Sequence, residues 1–160
     1  MSRRPASRRG FSLIEAVVVV LALAIALPTT LVWLENANDR RAESVHQTRA
    51  TALATLVMEH VLADVSSKSS GLGFSALADS AAYLDTAVTG LKARLSPVTS
   101  LYSGMNLTYD VTIGGLVDKS GVTTGSTTQD VFRTVSVAVT YSAADGTPRT
   151  VTVQSMVTSL

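Results

Sequence analysis

Residues 11–34 of the chain read FSLIEAVVVVLALAIALPTTLVWL, and this stretch decides what kind of protein the sequence encodes. Its central run, residues 16–27, has twelve consecutive residues without a polar side chain. As an α-helix the whole stretch would extend about 36 Å, which exceeds the roughly 30 Å hydrocarbon core of a bilayer. Four arginines before residue 10 favour a cytoplasmic N-terminus, and Trp33 stands where an interfacial aromatic residue is expected. We therefore expect one membrane-spanning helix, with all later residues outside the cytoplasm.

Glu15 is the one carboxylate inside this apolar stretch. A charged side chain at the centre of a bilayer costs on the order of 2.5–3.5 kcal/mol, and the cost is smaller near the membrane surface. Such a residue needs either a cationic partner or a place at the headgroup level, where its side chain reaches water. The position of Glu15 alone leaves both explanations open.

The residues around Glu15 form a more specific pattern. Residues 8–20 read RRGFSLIEAVVVV, which combines a basic leader, a glycine, a phenylalanine, Ser-Leu-Ile-Glu and an unbroken apolar run. This combination resembles the prepilin signal of type IV pilins and type II secretion pseudopilins. The resemblance covers about residues 7–34, and the rest of the chain is similar only in overall layout.

The resemblance implies that a prepilin peptidase cleaves between Gly10 and Phe11 and methylates the new amine of Phe11. It also implies that Glu15 acts in assembly, because an acid four residues after the cleavage site is characteristic of the family. The residue types suit this chemistry, since Gly10 lets a peptidase approach its carbonyl and Phe11 shares a helix face with Glu15. A carboxylate in a low dielectric seeks a cation, which the new amine of the same chain or of an axially offset neighbour supplies. A wrongly docked subunit would leave that charge unpaired, so Glu15 would set the register.

By this resemblance the chain is a structural, non-enzymatic subunit of a type IV pilus or a type II secretion pseudopilus. The short sheet and the lack of cysteine favour a minor component. The implied partners are the prepilin peptidase/methyltransferase, other pilin or pseudopilin subunits through the N-terminal helix, and an inner-membrane assembly platform. The implied location is first the bacterial inner membrane, as a single-pass protein with a cytoplasmic N-terminus, and then a periplasmic or extracellular filament.

A membrane-anchored or secreted binding module that does not polymerise is the alternative. The runs Ala22-Leu23-Ala24 and Ala24-Ile25-Ala26 have the small residues of a signal-peptidase site, and a basic region precedes the apolar one. Under that alternative, Glu15 would lie inside the apolar region of an ordinary signal and the pilin-like run would be a coincidence.

The rest of the sequence predicts an α+β fold, in which a long, pilin-like N-terminal helix with a transmembrane first half packs on a small antiparallel β-sheet. We divide the chain into a leader (1–10), a transmembrane or filament-core helix (11–34), its amphipathic continuation (35–65), a loop and second helix (66–103) and a β-meander (104–160). Pro28 predicts a kink in the long helix, or a break into two helices, and Thr29 and Thr30 are placed to bond the freed backbone groups.

Finer expectations follow from periodicity. Apolar residues from Val45 to Leu62 predict the helix face that meets the sheet, and the second helix is expected over about residues 76–95, stopped by Pro97. Alternating apolar residues predict three strands, near residues 107–113, 131–141 and 149–157, with Gly114-Gly115 interrupting the first.

Composition excludes several classes of function. The chain has 160 residues and no cysteine, which excludes disulfide scaffolds, thiolate zinc sites and cysteine nucleophiles. The four leader arginines leave nine bases against 12 acids in residues 11–160, so no nucleic-acid-binding surface is evident. His46 and His60 are expected to be solvated helix residues, and Asp118 and Asp130 flank a polar loop without a diagnostic calcium spacing. We find no catalytic constellation and expect no cofactor or metal.

Overall fold

The computed structural model describes residues 12–143 and 145–159. In chain order the helices are α1 (Leu13–Ser66), a short 3₁₀ helix (Phe74–Ala78), α2 (Ser80–Asp85) and α3 (Leu91–Ser103). Three strands follow, β1 (Thr108–Val117), β2 (Phe132–Ser142) and β3 (Pro148–Thr158). The strands form one antiparallel sheet in the order β1-β2-β3. A long N-terminal helix followed by a small antiparallel sheet confirms the α+β layout that the sequence predicts.

The chain divides into two units, residues 1–41 and residues 42–160, which we call the N-terminal and C-terminal units. All buried apolar residues of the described chain belong to the C-terminal unit. Its core joins one face of α1 to the inner face of the sheet, where Val135, Val137 and Val139 of β2 are fully buried. Leu91 and Leu95 of α3 complete the same core.

The helix face that meets the sheet differs from the predicted one. Leu53 and Val57 are buried as expected, but Val45 and Leu62 are 47% and 41% exposed. The buried positions recur every three or four residues along one side of α1, whereas Val45 and Leu62 lie off that side. The complete buried set on this helix is Ala50, Leu53, Ala54, Val57, Met58, Val61 and Asp64.

The predicted second helix over residues 76–95 is wrong, because this part of the chain forms three shorter helices. Asp79 begins a new helix by accepting a hydrogen bond from the Ala82 N–H at 3.0 Å. Gly90 begins α3, and its N–H donates a hydrogen bond of 2.9 Å to the Thr86 carbonyl. Pro97 does not stop α3 but lies inside it, on the exposed side, where losing one backbone donor leaves the rest of the helix intact.

The predicted interruption at Gly114-Gly115 takes the form of an irregularity within β1 rather than its end. The register to β2 shifts between Ile113 and Leu116, and pairing then continues to Val117. A Cβ at Gly114 would lie 2.3 Å from the Thr134 hydroxyl oxygen, so a larger residue there would force the Thr134 side chain to move. The Arg133 side chain donates a hydrogen bond of 3.0 Å to the Gly114 carbonyl, which fixes the bulged strand.

Candidate assembly segment and its supporting contacts

The apolar start of α1 is the candidate functional segment, because residues 12–143 and 145–159 do not cover its side chains. The helix begins directly after Ser12, whose carbonyl accepts the Ala16 N–H at 3.1 Å. Every large apolar side chain from Leu13 to Leu34 is between 43% and 84% exposed. The helix is long and apolar enough to cross a membrane, and its apolar window is not buried against any described part of the chain. An exposed apolar surface of this size is typical of a segment that contacts lipid or another protein surface.

Glu15 lies in the first turn of α1 and is exposed. Over residues 12–143 and 145–159, its carboxylate has no hydrogen-bond or ion-pair partner. The other two residues of the predicted cleavage site, Gly10 and Phe11, lie outside the described residues. The pairing of Glu15 with a new amine at Phe11 therefore stays a prediction.

Pro28 lies inside α1, which continues on both sides of it. The two threonines after Pro28 bond the helix backbone as the sequence suggests, but not at the carbonyl that Pro28 frees. Thr29 donates its hydroxyl to the Ala26 carbonyl at 2.8 Å, and Thr30 donates to the Leu27 carbonyl at 2.9 Å. The carbonyl without its usual donor is that of Ala24, four residues before the proline. The helix is thus unbroken at Pro28, and the kink there stays a prediction.

Where the apolar stretch ends, the residues of α1 change abruptly from apolar to charged. Trp33 is 81% exposed, consistent with an aromatic residue that needs a covering surface. The charged residues that follow are all exposed as well, namely Glu35, Asp39, Arg40 and Arg41. This order of residues, from aromatic to charged, suits the boundary between an apolar layer and water.

An ion pair between the buried Asp64 and the partly exposed Arg94 ties the last turns of α1 to the helices that follow it. The Arg94 guanidinium donates to both Asp64 oxygens, at 2.8 Å and 2.5 Å, and the Tyr83 hydroxyl donates to the same carboxylate at 2.6 Å. Burial of Asp64 would raise its pKa, but the hydrogen bonds from Arg94 and Tyr83 outweigh burial and hold the pKa below its usual value. Burial and the Asp64 carboxylate raise the pKa of Tyr83.

This cluster is closed by backbone bonds and has no free catalytic group. The Asp64 carbonyl accepts the N–H groups of Ser67 and Gly73 at 3.0 Å and 2.9 Å, so the chain turns tightly around it. A groove of about 630 Å³ borders Tyr83 and Arg94, but their polar atoms are bonded to Asp64. The arrangement therefore holds three helices together.

A second cluster joins α1 to the sheet. The Tyr141 hydroxyl donates to Glu43 at 2.8 Å, and Arg149 lies 3.4 Å from the same carboxylate oxygen. The His46 ring stacks on Tyr141 with its centroid 6.2 Å away. The expectation of two solvated histidines is thus wrong for His46, which is half-buried, while His60 is exposed. The sequence did not point to this cluster because Glu43 and Tyr141 are 98 residues apart.

The two aspartates of the polar loop are engaged in backbone bonds. Asp130 accepts the N–H groups of Thr124 and Gly125, and Asp118 accepts the N–H groups of Ser120 and Val122. At Asp130 burial opposes ionisation, but the bonds from Thr124 and Gly125 lower the pKa. At Asp118 the Ser120 hydroxyl is the largest cause of a lowered pKa.

Metal-binding side chains do not gather around these loop aspartates or elsewhere in residues 12–143 and 145–159. No group of three or more His, Cys, Asp or Glu residues is close enough there to hold a metal ion. The loop carboxylates thus act as internal acceptors that shape the loop.

No protein-family model, no curated protein and no solved structure matches this chain.

Proposed function

We propose that this chain is a pilin-like subunit, processed at the Gly10–Phe11 bond and polymerised through the apolar part of α1 into a type IV pilus or type II secretion pseudopilus. The observation that carries the proposal is the run RRGFSLIEAVVVV at residues 8–20, placed at the head of a continuous helix. The large apolar side chains of that helix are uncovered, which suits a segment that passes from lipid into a protein filament.

Each part of the segment then has one task. The basic leader holds the N-terminus in the cytoplasm and must be removed, because its charges would not pack into an apolar filament core. Cleavage exposes an amine at Phe11, and a prepilin peptidase/methyltransferase methylates it. Glu15 binds that amine in a neighbouring subunit, so that a wrongly docked subunit leaves a carboxylate unpaired in a low dielectric.

The proposed location and partners follow from this order of events. The chain first spans the bacterial inner membrane once and meets the assembly platform there. It then leaves the membrane as part of a periplasmic or extracellular filament, with the C-terminal unit at the filament surface. The proposed role is structural and not enzymatic, and the chain is a minor component.

The mature N-terminus is the decisive test. Intact-mass analysis and N-terminal sequencing of the chain from its native host should give N-methylated Phe11. A chain that begins at Ile25 or Leu27 would instead be the product of signal peptidase, and a chain that keeps Met1 would be an uncut anchor. Either result would favour the alternative of an exported or tethered binding module that does not polymerise.

Glu15 provides a second test that separates processing from assembly. The Glu15→Leu variant should be cleaved and should remain in the membrane, but its incorporation into filaments should fall about tenfold or more, since it lacks the register contact. Glu59→Leu is the matched control, because Glu59 is an exposed acid of the same helix in the C-terminal unit. Normal incorporation of Glu15→Leu would remove the register role.

A further inference from the structure

A short charged segment follows the apolar part of α1, and its charges find no partner within the described chain. Glu35, Asp39, Arg40 and Arg41 are all exposed. Over residues 12–143 and 145–159, none of these four charged groups lies within 4.0 Å of an opposite charge. Two acids beside two bases on one helical segment form a surface whose charges complement those of a second copy of itself.

Arg40 lies on the same side of α1 as Glu15. The two residues are 25 positions apart in a single helix, which corresponds to about seven complete turns of 3.6 residues. A neighbouring helix that receives Glu15 on this side therefore also faces Arg40.

The positions of Arg40 and Glu35 along the helix axis also favour a contact with the neighbouring copy that Glu15 binds. When Glu15 binds the amine of residue 11 in a neighbouring copy, that copy is displaced by four residues, or about 6 Å along the helix. The same displacement brings Arg40 level with residue 36 of the neighbour, only about 1.5 Å along the axis from its Glu35. A long arginine side chain covers that axial difference easily, so one displacement brings both pairs of charges level along the helix axis.

We propose that Arg40 of one copy forms an ion pair with Glu35 of the next copy, as a second register contact beside the one made by Glu15. This inference rests on the proposed assembly function and names a second copy of this chain as the partner. The pair lies next to the apolar layer, where water is partly excluded and opposite charges attract more strongly than on an open surface. The pair forms wherever two copies of this chain are neighbours in the filament.

Charge reversal tests the pair in the full-length chain, expressed in its native host. Arg40→Glu and Glu35→Arg each place like charges at the contact, and each should lower incorporation into the sheared-filament fraction about threefold or more. The variant that carries both changes restores opposite charges and should return to the wild-type level. Lys119→Glu makes the same charge change in an exposed loop and should have no effect.

Disulfide trapping tests the register directly, since the chain has no cysteine of its own. Oxidation of co-expressed Glu35→Cys and Arg40→Cys chains should give a covalent dimer. The Glu35→Cys chain alone should not, because the displacement holds two copies of residue 35 about 6 Å apart along the axis, beyond disulfide reach once the spacing between helices is added.

The outcomes separate this inference from the proposed function. Normal incorporation of both reversal variants, a double variant that stays as low as the single ones, or trapping at 35–35 in preference to 35–40 would overturn the Arg40–Glu35 pair. If the wild-type chain is processed and incorporated, only that pair is lost. A wild-type chain that keeps its leader or stays out of the filament fraction would overturn both.

Discussion

Gly90 separates α2 from α3 because no side chain fits at this position. A Cβ at residue 90 would lie 2.6 Å from both the nitrogen and the oxygen of Thr86, and 2.8 Å from the Leu84 oxygen. All three are backbone atoms, so none can rotate away. The sequence predicted one helix through residue 90, and the structure uses Gly90 as the start of a separate one.

Replacement of Gly90 should therefore destabilise the C-terminal unit. We expect Gly90→Ala to lower the free energy of unfolding by about 1–3 kcal/mol, as measured by urea denaturation of the full chain in detergent. Gly115→Ala is the matched control, because a Cβ at Gly115 meets no atom within 4 Å. Its effect should stay within about 0.5 kcal/mol, and equal losses for the two variants would contradict the steric argument.

Asp64 makes the stability of the C-terminal unit depend on pH. Its pKa in the folded chain lies below the unfolded value of about 3.9, because Arg94 and Tyr83 bind the ionised form. The contribution of this carboxylate is thus complete above the unfolded pKa and is lost as the pH falls through the folded one. Thermal unfolding between pH 6 and pH 2 should show this loss, and the loss should be smaller in Asp64→Asn.

At pH 7, Asp64→Asn should itself lower the free energy of unfolding. Asp64→Asn leaves the partly exposed Arg94 guanidinium without its counter-charge and weakens the acceptor of the Tyr83 hydroxyl, which should cost about 1–3 kcal/mol. Asp85→Asn removes an ion pair of similar length, Asp85–Lys92 at 2.7 Å, but on the exposed surface. That control should lose under about 1 kcal/mol, and a loss as large as that of Asp64→Asn would show that burial is not the cause.

At the scale of elements, the contact between α1 and the sheet depends on small residues. Ala50 and Ala54 are fully buried on the face of α1 that meets the sheet. The larger Leu53, Val57 and Val61 of the same helix belong to the same core cluster, so the small and large side chains share one packed interior.

Overpacking this face should destabilise the fold. Ala54→Leu adds three carbon atoms at a position with no exposed area and should lower the free energy of unfolding by about 1–3 kcal/mol. Ala52→Leu places the same group on the exposed side of the same helix and should have little effect. Urea denaturation of both variants measures the difference, and a neutral Ala54→Leu would show that the helix can move away from the sheet.

The sequence predicted the elements that have a regular period and missed those that depend on local bonds. Alternation in residues 131–141 predicted β2 nearly to the residue, and the apolar run predicted the start of α1. Large aliphatic residues misled the prediction of the buried helix face, because burial also selects Ala50 and Ala54. The three short helices depend on Asp79 and Gly90, whose roles follow from hydrogen bonds and close contacts that a periodic pattern does not contain.

The candidate assembly segment was readable from the sequence because its residues are contiguous. A leader, a cleavage glycine and an acid at a fixed distance need no folding to be seen. The supporting clusters were not readable, since Arg94 is 30 residues from Asp64 and irregular chain between them determines whether they meet. Such pairs become visible only once the turns around residues 67–90 are known.

At the scale of the whole molecule, the two units differ in how much apolar surface they expose to water. The core of the C-terminal unit contains none of residues 12–34, whereas those residues carry the uncovered apolar surface. A chain reduced to residues 35–160 should therefore be soluble and monomeric, and its unfolding transition should stay close to that of the full chain. Size-exclusion chromatography without detergent and thermal unfolding measure both properties, and aggregation of the shortened chain would contradict this division.

The unequal connections of the sheet set an order for its formation. Five residues join β2 to β3, whereas 14 residues separate β1 from β2. Closing the longer loop costs about 0.9 kcal/mol more in chain entropy. We therefore expect the hairpin of β2 and β3 to form before β1 is added. Strand β1, although it is the first to leave the ribosome, is thus expected to be the last one added to the sheet.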